Sequence, residues 1–466
     1  MSHHDLVIVG CGPVGAVAAN LAGRDGLSTL VVDRSPVVFE MPRAIHFDAQ
    51  VMRILQQAGV ADEVARDTRV WARSSFYGAD GLLNRVHEWP KARPLGWAEH
   101  YLFYQPTFEA VLRSSLARHP HVEVALGVEM VGMRQHDEYV ELDLRDRRTG
   151  ERRRMSAAYV IGADGASSRT RAAIGADLAD SGFDEPWLVV DLLTDRELGE
   201  PDGSEMFCDP RRPATRVPGP GRHHRWEFML LPGEDPVQMQ RRETIEALLR
   251  PWVSLDEVEI VRAAVYRFHA LVARRWRDRR VFLAGDAAHQ TPPFLGQGMC
   301  AGIRDAANLA WKFACPDWLD SYQSERAPHV RVYIEEALRL GAIIQTTDPK
   351  VAAERDRRYL EGGKEEMVNL SPPLGSGAHF DGRVFPQPVL ADGRRLDEAI
   401  GGYRWAVLCP PQLRTEAPMT VVPFAGEEAI VLRPDRYVYG RATTNAGLEQ
   451  LLGGVRHESK TPQPHH

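Results

Sequence analysis

The chain has 466 residues, of which 44% are hydrophobic, and its 57 basic and 64 acidic side chains give a formal net charge of −7 at pH 7. This length predicts two or three domains. Because neither sign of charge forms a long run, we expect no nucleic-acid surface and no polybasic membrane patch. The expected partner is therefore a small molecule.

The five cysteines are scattered along the chain without a C-x-x-C pair, which indicates reduced thiols. No signal-peptide pattern stands at the N-terminus, and the apolar runs are shorter than the roughly 20 residues of a membrane span. These features predict a soluble, cytoplasmic protein without a membrane partner.

The first motif is the stretch DLVIVGCGPVGAVAANLAGRDGLSTLVVDR, residues 5–34. Its β-branched start predicts a buried strand over 5–9, and its small residues predict a helix over 14–22. Gly10 suits the tight turn between them, Gly12 lets backbone NH groups approach a pyrophosphate, and Gly15 lets the helix pack closely on the strand. This arrangement predicts a dinucleotide site.

A second apolar run over 29–32 ends at Asp33, whose carboxylate can accept both hydroxyls of an adenosine ribose. That carboxylate favours an unphosphorylated ribose, and thus FAD or NAD rather than NADP. The stretch by itself leaves the choice between FAD and NAD open.

Two later segments repeat a strand that runs into a glycine-containing turn and a helix. They are YVIGADGASSRTR, residues 159–171, and VFLAGDAAHQTPPFLGQGMCAGIRDAANLAWK, residues 281–312. With these three motifs in this order, the chain resembles the group A flavoprotein monooxygenases, the single-component FAD-dependent aromatic hydroxylases. It is most similar to the branch that holds 3-(3-hydroxyphenyl)propionate hydroxylases, phenol hydroxylases and polyketide hydroxylases.

The resemblance implies an α/β fold built on a Rossmann-like FAD-binding domain of the aromatic hydroxylase (glutathione reductase-like) type. This domain is expected over 1–70, 100–180 and 276–345, with an inserted substrate-binding β-sheet domain over 71–99 and 181–275. In the inserted domain, strand-like runs alternate with turns such as Pro210 to Pro220. A helical region and linker over 346–385, including Ser371 to Gly377, then precede a shortened thioredoxin-like domain over 386–466. Without a C-x-x-C pair, that last domain is not expected to perform redox chemistry.

The resemblance also implies which residues hold FAD. Those expected around the pyrophosphate, the adenosine ribose and the remaining phosphate and ribityl oxygens are Gly10, Gly12, Pro13, Val14, Gly15, Asp33, Arg34, Arg43 and Gln105. The later motifs supply the residues expected at the ribityl chain, at the flavin ring and where the pyridine nucleotide binds. They are Asp164, Gly285, Asp286, Pro293, Gly296, Gly298 and Met299. No metal is expected.

The implied activity reduces FAD with NADH or NADPH, forms a flavin C4a-hydroperoxide with O2 and hydroxylates a phenolic or other electron-rich aromatic substrate. The protein's part is to orient the aromatic ring and to exclude water. No second dinucleotide motif is present, which agrees with a nicotinamide that docks transiently. The choice between NADH and NADPH stays open. A homodimer is a possible oligomeric state and also stays open.

Ionisation of a phenol helps oxygen transfer, so a base or hydrogen-bond acceptor is expected near the substrate. The catalytic candidates are His46, where relatives commonly have a small residue, and Tyr266, which strand alternation places on one face with Phe268. Arg225 is a candidate for pairing with a substrate carboxylate, and Pro293 is expected at both ring and substrate. Each polar candidate has an alternative role, as a packed side chain for His46 and Tyr266 and as a sheet-edge cap for Arg225.

Other functions of the same fold compete with hydroxylation. A flavin epoxidase or reductase stays open, whereas the W-x-W-x-I-P stretch of the halogenases of this fold is absent. A non-catalytic FAD-binding protein is the remaining alternative, and the joint presence of Asp33, Asp164 and Asp286 argues against it.

Overall fold

The computed structural model describes residues 3–38, 42–81, 83–362, 370–375, 382–416 and 419–458. The strands of these ranges are, in chain order, β1 (His3–Val9), β2 (Thr29–Asp33), β3 (His46–Asp48), β4 (Thr68–Val70), β5 (Arg73–Tyr77), β6 (Leu83–Glu88), β7 (His100–Phe103), β8 (Val122–Leu126), β9 (Val128–Gln135), β10 (Val140–Asp146), β11 (Arg152–Gly162), β12 (Leu178–Leu193), β13 (Gly203–Phe207), β14 (Ala214–Pro218), β15 (His223–Met229), β16 (Glu259–Ala273), β17 (Arg277–Asp278), β18 (Val281–Leu283), β19 (His289–Gln290), β20 (Ala406–Cys409), β21 (Thr420–Pro423), β22 (Ala429–Leu432) and β23 (Val438–Ala442).

The helices of the same ranges are α1 (Pro13–Arg24), α2 (Ala49–Gln57), α3 (Ala61–Arg66), α4 (Gln105–Ser115), α5 (Arg169–Ala173), α6 (Pro236–Met239), α7 (Arg242–Leu249), α8 (Gly298–Ala314), α9 (Tyr322–Ile344), α10 (Pro349–Leu360), α11 (Leu396–Ile400) and α12 (Asn445–Glu458). No helix of the described ranges is both long and apolar enough to cross a bilayer. The described side chains also contain no group of His, Cys, Asp and Glu that could hold a metal ion.

The first sheet is built around parallel strands. Strands β18, β11, β1, β2 and β8 lie side by side in parallel, and β9 and β10 extend the sheet in antiparallel pairing. Helix α1 connects β1 to β2 and packs on α8, so that Val7, Ala16 and Ile303 are fully buried. The central segments of β1 and β2, residues 6–9 and 30–32, are apolar and buried, as in a sheet covered by helices on both faces, whereas β8 is partly exposed. Their carboxyl ends meet at one edge, where ligands bind in such sheets.

The second sheet has eight strands in the order β19-β16-β12-β15-β14-β13-β5-β6. The long strands β12 and β16 pair antiparallel, with Trp187 opposite Tyr266 and Val189 opposite Ala264. Directly opposed residues point to the same face of a sheet. This register therefore places Trp187, Tyr266, Val189 and Ala264 on one face of the second sheet.

The C-terminal part forms a four-stranded sheet in the order β21-β20-β22-β23, with α11 and α12 beside it. Its buried apolar side chains include Val407 and Leu448, and they share one cluster with Trp311 of α8. The C-terminal sheet thus packs on a helix of the third motif.

A fourth, three-stranded sheet has the order β3-β7-β4. In sequence, its strands lie in the segments that connect strands of the first two sheets.

The structure contains the elements expected for the first motif, since the strand over 5–9 lies within β1 and the helix over 14–22 lies within α1. The prediction of a continuous turn from Pro210 to Pro220 is wrong, because Ala214–Pro218 forms β14 and pairs with β15. Pro218 stands at the end of that strand, where a missing NH donor is tolerated. The end of the expected linker, Ser376 and Gly377, lies outside the described residues.

Candidate cofactor and substrate site

The turn between β1 and α1 has the shape of a phosphate-binding loop. Gly10 has a φ of +105°, and a Cβ at this position would collide with the backbone of Ala163. A Cβ on Gly15 would collide with the carbonyl oxygen of Gly10. At Gly12, a Cβ would meet no atom within 4 Å. Packing therefore requires Gly10 and Gly15, whereas Gly12 opens onto free space.

The N-terminus of α1 faces the same space. Pro13 occupies the first turn, and no side chain caps the helix or places an acidic group there. Val14 follows Pro13 in that turn. Unpaired NH groups and the helix dipole favour an anion at such an end. The loop is therefore suited to a pyrophosphate beside Gly12.

Asp33 ends β2 next to this loop. Its Oδ2 accepts a hydrogen bond from the Cys11 NH at 2.6 Å, and its Oδ1 accepts one from the Ser35 NH at 2.7 Å. Each carboxylate oxygen keeps a lone pair for a further donor. The side chain of Arg34 is exposed beside it. Asp33 is thus held in place and able to accept the hydroxyls of a ribose.

A cleft of about 420 Å³ runs along this edge of the first sheet. The segment 163–169, strands β1, β2 and β9, helix α4 and one residue of the second sheet form its walls. The predicted site residues that line it are Gly10, Gly12, Asp33, Arg34, Arg43, Asp164 and Tyr266. The structure therefore brings the first two motifs and Tyr266 together at one cleft.

Asp164 follows β11 and shapes a wall of the cleft. Its Oδ2 accepts hydrogen bonds from the NH and the hydroxyl of Thr170 at 3.0 and 3.1 Å, and its Oδ1 accepts one from Ser168 Oγ. The neighbouring Arg169 is paired with Glu129 at 3.2 Å. Asp164 thus fixes the turn into α5, and its carboxylate is already engaged by protein donors.

The third motif places Gly285 and Asp286 beside α1. Gly285 has a φ of +61°, and a Cβ there would lie 2.9 Å from Cγ2 of Val14. Asp286 is half-buried, and its carboxylate has no hydrogen-bond or ion-pair partner in the part of the chain that the structure describes. Its oxygens are therefore free to accept hydrogen bonds from the hydroxyl donors of a ligand beside the phosphate loop.

The expected flavin-ring residues form a turn that leads into α8. Pro293–Leu295 is a single 3-10 turn, Gly296 follows with a φ of +62°, and Gly298 and Met299 begin the helix. A Cβ on Gly296 would lie 2.7 Å from Nδ1 of His46. The turn at 293–298, called the ring loop below, therefore lies directly against His46.

His46 is 3% exposed, and protein groups surround both ring nitrogens. Nδ1 lies 3.3 Å from the carbonyl oxygen of Gly296, and Nε2 lies 2.8 Å from Nδ1 of His100. The ring of Trp71 packs edge-on at 4.9 Å. Burial lowers the pKa of His46 to about 4, although Asp48 opposes this. These contacts favour the alternative role of His46, a packed neutral side chain that supports the ring loop.

A buried ion pair lies behind His46. Arg304 of α8 pairs with Asp48 and donates a hydrogen bond to Gln297 Oε1 at 3.0 Å, while Gln297 Nε2 donates to Asp48 Oδ2 at 3.0 Å. Although burial opposes ionisation of Asp48, the Arg304 guanidinium lowers the pKa of this carboxyl to about 2. The three side chains fix the ring loop against β3.

Gln105 uses its amide within the protein. Its Oε1 accepts hydrogen bonds from the NH groups of Arg43 and Ala44, both at 2.7 Å, and its Nε2 donates to Glu109 at 2.7 Å. The residue is 2% exposed. Gln105 therefore holds the backbone at Arg43, and Arg43 rather than Gln105 lines the cleft.

Arg113 is a site residue that sequence analysis does not identify. It lines the cleft, and its Nε donates to the Cys11 carbonyl at 2.9 Å. Its Nη1 is buried without a hydrogen-bond partner among the described residues. A guanidinium beside a phosphate loop suits an anionic ligand. The sequence could have indicated Arg113, because the four-residue spacing of Gln105, Glu109 and Arg113 places them on one helix face.

Arg225 is buried, and its guanidinium is committed to protein groups. It pairs with Asp191 at 2.7 Å and donates to the carbonyls of Arg43 and Pro42 at 2.6 and 2.9 Å. Arg262 also contacts the Pro42 carbonyl and Asp191. These contacts tie the second sheet to the backbone at 42–43. They favour a role inside the sheet rather than a pair with a substrate carboxylate.

Tyr266 is half-buried where the second sheet meets the cleft. The guanidinium of Arg262 lies over its ring, 4.9 Å from the centroid. Its hydroxyl makes no hydrogen bond within the described ranges. Tyr266 thus stays a candidate for contact with cofactor or substrate.

The residues present fit FAD. Gly12 leaves room where a pyrophosphate would lie, and Arg113 offers an unpaired buried donor beside it. Asp33 and Asp286 offer carboxylate oxygens to hydroxyl groups. Gly12, Asp33 and Arg113 line the cleft, whereas Gly285, Asp286 and the ring loop do not. The cleft thus offers a donor for a pyrophosphate and an acceptor for ribose hydroxyls, which suits the adenosine and phosphate part of FAD.

The family model described as "FAD binding domain" matches residues 3–337. A 3-(3-hydroxy-phenyl)propionate/3-hydroxycinnamic acid hydroxylase of Burkholderia cenocepacia (strain HI2424) is 38% identical over 437 residues, which cover 87% of this chain and 80% of the relative. A probable NADH-specific resorcinol 4-hydroxylase of Rhodococcus jostii (strain RHA1) is 33% identical over 495 aligned residues, covering 96% and 93%. The crystal structure of aklavinone-11 hydroxylase with FAD and aklavinone matches with a TM-score of 0.80 at 23% identity, covering 97% of this chain and 98% of that one, which shows a shared fold.

Proposed function

The chain belongs to the FAD-binding-domain family, and we propose that it is an FAD-dependent, NAD(P)H-consuming monooxygenase that hydroxylates a phenolic or other electron-rich aromatic ring. Its relatives named as hydroxylases of hydroxyphenylpropionate and resorcinol support this activity. They give no support to an epoxidase or a reductase. A non-catalytic role is disfavoured because the cofactor groups are present together.

The observation that carries the proposal is the open position at Gly12 beside free hydrogen-bonding groups. No atom lies within 4 Å of a Cβ placed there. Beside this turn, Nη1 of Arg113 is a buried cationic donor without a hydrogen-bond partner among the described residues, and the carboxylate of Asp286, next to the glycine that packs on Val14, is a free acceptor for hydroxyls. FAD provides hydroxyls and a pyrophosphate in one molecule.

We assign the roles of the side chains as follows. The glycine turn and Arg113 would hold the pyrophosphate, Asp33 the adenosine ribose and Asp286 the ribityl chain, with the ring loop at the flavin ring. Bound FAD would supply reduction by NAD(P)H and activation of O2, chemistry that these side chains do not provide. The uncapped start of α8 would favour negative charge on the ring.

The second sheet would exclude water from the reacting ring. Trp187 of β12 packs edge-on against Phe294 of the ring loop, with ring centroids 5.8 Å apart. Arg225 ties the other end of the same sheet face to the backbone at 42–43. The sheet is thus anchored to the ring loop at one end and to the backbone at 42–43 at the other, and in this position it would shield the reaction from water.

The function is tested with the purified holoprotein. NAD(P)H oxidation is measured with phenol, resorcinol and 3-(3-hydroxyphenyl)propionate, and the products are analysed by mass spectrometry. We expect at least one phenol to stimulate oxidation and to gain one oxygen atom. Stimulation without a hydroxylated product from any of them would contradict the proposal.

The division into an FAD-binding domain, a substrate sheet domain and a C-terminal domain also stays a proposal. The separate sheets support it, whereas β19 joins the second sheet from within the segment 276–345. A cytoplasmic location is proposed because the reaction consumes NAD(P)H and the five described thiols are unpaired.

A further inference from the structure

Glu227 lies on the face of the second sheet that covers the cofactor loops. Side chains alternate along β15, so Arg225, Glu227 and Met229 point to the same face. Arg225 at one end binds the backbone at 42–43. Met229 at the other end packs in one apolar cluster with Leu295 of the ring loop. Glu227 therefore lies between these two anchor points, on the sheet face that contacts the backbone at 42–43 and the ring loop.

The surroundings of Glu227 suit an aromatic ring. Its direct cross-strand neighbours are Val189 on β12 and Thr215 on β14, and Ala264 lies beyond Val189 on β16. These three side chains are small, and Trp187 lies on the same sheet face, opposite Met229. The Glu227 side chain keeps 16% of its surface accessible, so it borders open space rather than packed core.

The Glu227 carboxylate has no hydrogen bond to any described residue. Its nearest cation is Arg225, whose Nη1 lies 4.0 Å away and whose guanidinium is already paired with Asp191. The charged groups that face it are Arg225 on its own strand, Asp191 on β12 and Arg262 on β16. Burial raises the pKa of Glu227, Arg225 opposes this, and Asp191 adds to it. Glu227 is thus a largely buried carboxylate with a distant cation but no hydrogen-bond donor among the described residues, and a ligand hydroxyl can supply that donor.

We propose that Glu227 is a catalytic residue that accepts the hydroxyl proton of a phenolic substrate. This inference rests on the proposed function. The O–H bond of the phenol breaks, its proton passes to a carboxylate oxygen of Glu227, and the electron pair stays on the phenolate oxygen. The phenolate then makes the ring a better nucleophile for oxygen transfer. The substrate class is thus a phenol whose hydroxyl meets Glu227, since a carboxylate in that place would face a like charge.

The first experiment compares the wild-type holoenzyme, Glu227→Gln and the control Asp184→Asn on the phenol of the panel that the wild type hydroxylates fastest. Asp184 is an exposed carboxylate of the same sheet that pairs with Arg267. We expect Glu227→Gln to hydroxylate about 100-fold more slowly at pH 7, with FAD content and melting temperature unchanged. Its rate should recover as the pH nears the pKa of a free phenol, about 10 for a tyrosine-like hydroxyl. Asp184→Asn should match the wild type.

The second experiment measures binding without turnover. The affinity of the oxidised enzyme for the same phenol is compared with that for its O-methyl ether, which has no proton to donate. We expect the wild type to prefer the phenol by at least about tenfold, as for a hydrogen bond to a charged group, and Glu227→Gln to lose most of this preference. The wild-type comparison stands by itself if the variant does not fold.

Three outcomes separate the inference from the function on which it rests. A wild type that hydroxylates a phenol but binds the methyl ether equally well would overturn the role of Glu227 and leave the function intact. A wild-type rate and pH profile in Glu227→Gln would do the same. A wild type that hydroxylates no phenol would overturn the proposed function itself.

Discussion

Arg433, which follows β22, and Glu325 of α9 form a buried two-point ion pair. Nη1 and Nη2 of Arg433 lie 3.0 and 2.8 Å from Oε1 and Oε2 of Glu325, and the side chains are 1% and 5% exposed. Paired hydrogen bonds of this kind are directional as well as strong. The contact fixes the C-terminal sheet to the helix that follows α8, and thus to the region behind the ring loop.

Replacing this arginine tests that connection. Arg433→Met would leave Glu325 with Lys312, 2.9 Å away, as its remaining cation. Because breaking a buried pair leaves charge poorly compensated, we expect the free energy of unfolding in urea to fall by about 3 kcal/mol. Arg357→Met removes an exposed pair with Glu361 and should cause no measurable loss. Equal losses of unfolding free energy in the two variants would contradict a stabilising role of the Arg433–Glu325 pair.

Gly12→Val separates cofactor binding from folding. A Cβ at Gly12 meets no protein atom within 4 Å, so the variant should fold with the melting temperature of the wild-type apoprotein. The added side chain would occupy the space of the pyrophosphate, and the protein should purify largely colourless. Gly453→Val, at another glycine with nothing within 4 Å, is the control and should stay yellow. A fully yellow Gly12→Val would argue against a pyrophosphate at this turn.

Asp286→Ala tests the ribityl contact. The carboxylate has no partner within the described ranges, so its removal should not weaken the apoprotein. Loss of hydrogen bonds to a charged acceptor should weaken FAD binding by about tenfold to a hundredfold, measured by flavin fluorescence on titration of the apoprotein. The exposed Asp317→Ala is the matched control. An unchanged FAD affinity in Asp286→Ala would remove this residue from the cofactor site.

The neutral state of His46 predicts how stability depends on pH. Burial lowers its pKa from 6.5 to about 4, so the unfolded chain binds a proton between these pH values and the folded chain does not. Stability should therefore fall as the pH drops from 6.5 to 4, by about 3 kcal/mol for a group of this kind. His46→Gln should flatten that part of the profile measured by denaturant unfolding. If the stability of His46→Gln fell equally steeply with pH, the His46 imidazole of the wild type would have to be charged or exposed.

Local sequence patterns were sufficient to predict the glycine turn, and its role as a cofactor site stays a prediction. Gly10, Gly12 and Asp33 lie on a strand and a turn that are continuous in the chain and line one cleft, and Gly15 packs against Gly10. Each position follows from backbone geometry near its neighbours, which residue type and spacing can express.

The polar contacts of the second sheet could not be predicted in this way. Arg225 pairs with Asp191 because antiparallel register sets these two residues opposite each other across 34 positions of sequence. Gln105 binds the backbone at Arg43 across 62 positions. Such partners depend on register and packing between elements, which alternation within one strand does not reveal. The same register sets Val189 and Thr215 opposite Glu227 and leaves Arg225, 4.0 Å away, as its ion-pair partner.

Incorporation of labelled oxygen is the most direct test of ring hydroxylation by this protein. The holoenzyme is supplied with NAD(P)H, the phenol that it turns over fastest and isotopically labelled oxygen gas in unlabelled water. We expect a product that carries one labelled oxygen atom on its ring. A product without the label, or a labelled gas consumed only to hydrogen peroxide with every phenol, would contradict it.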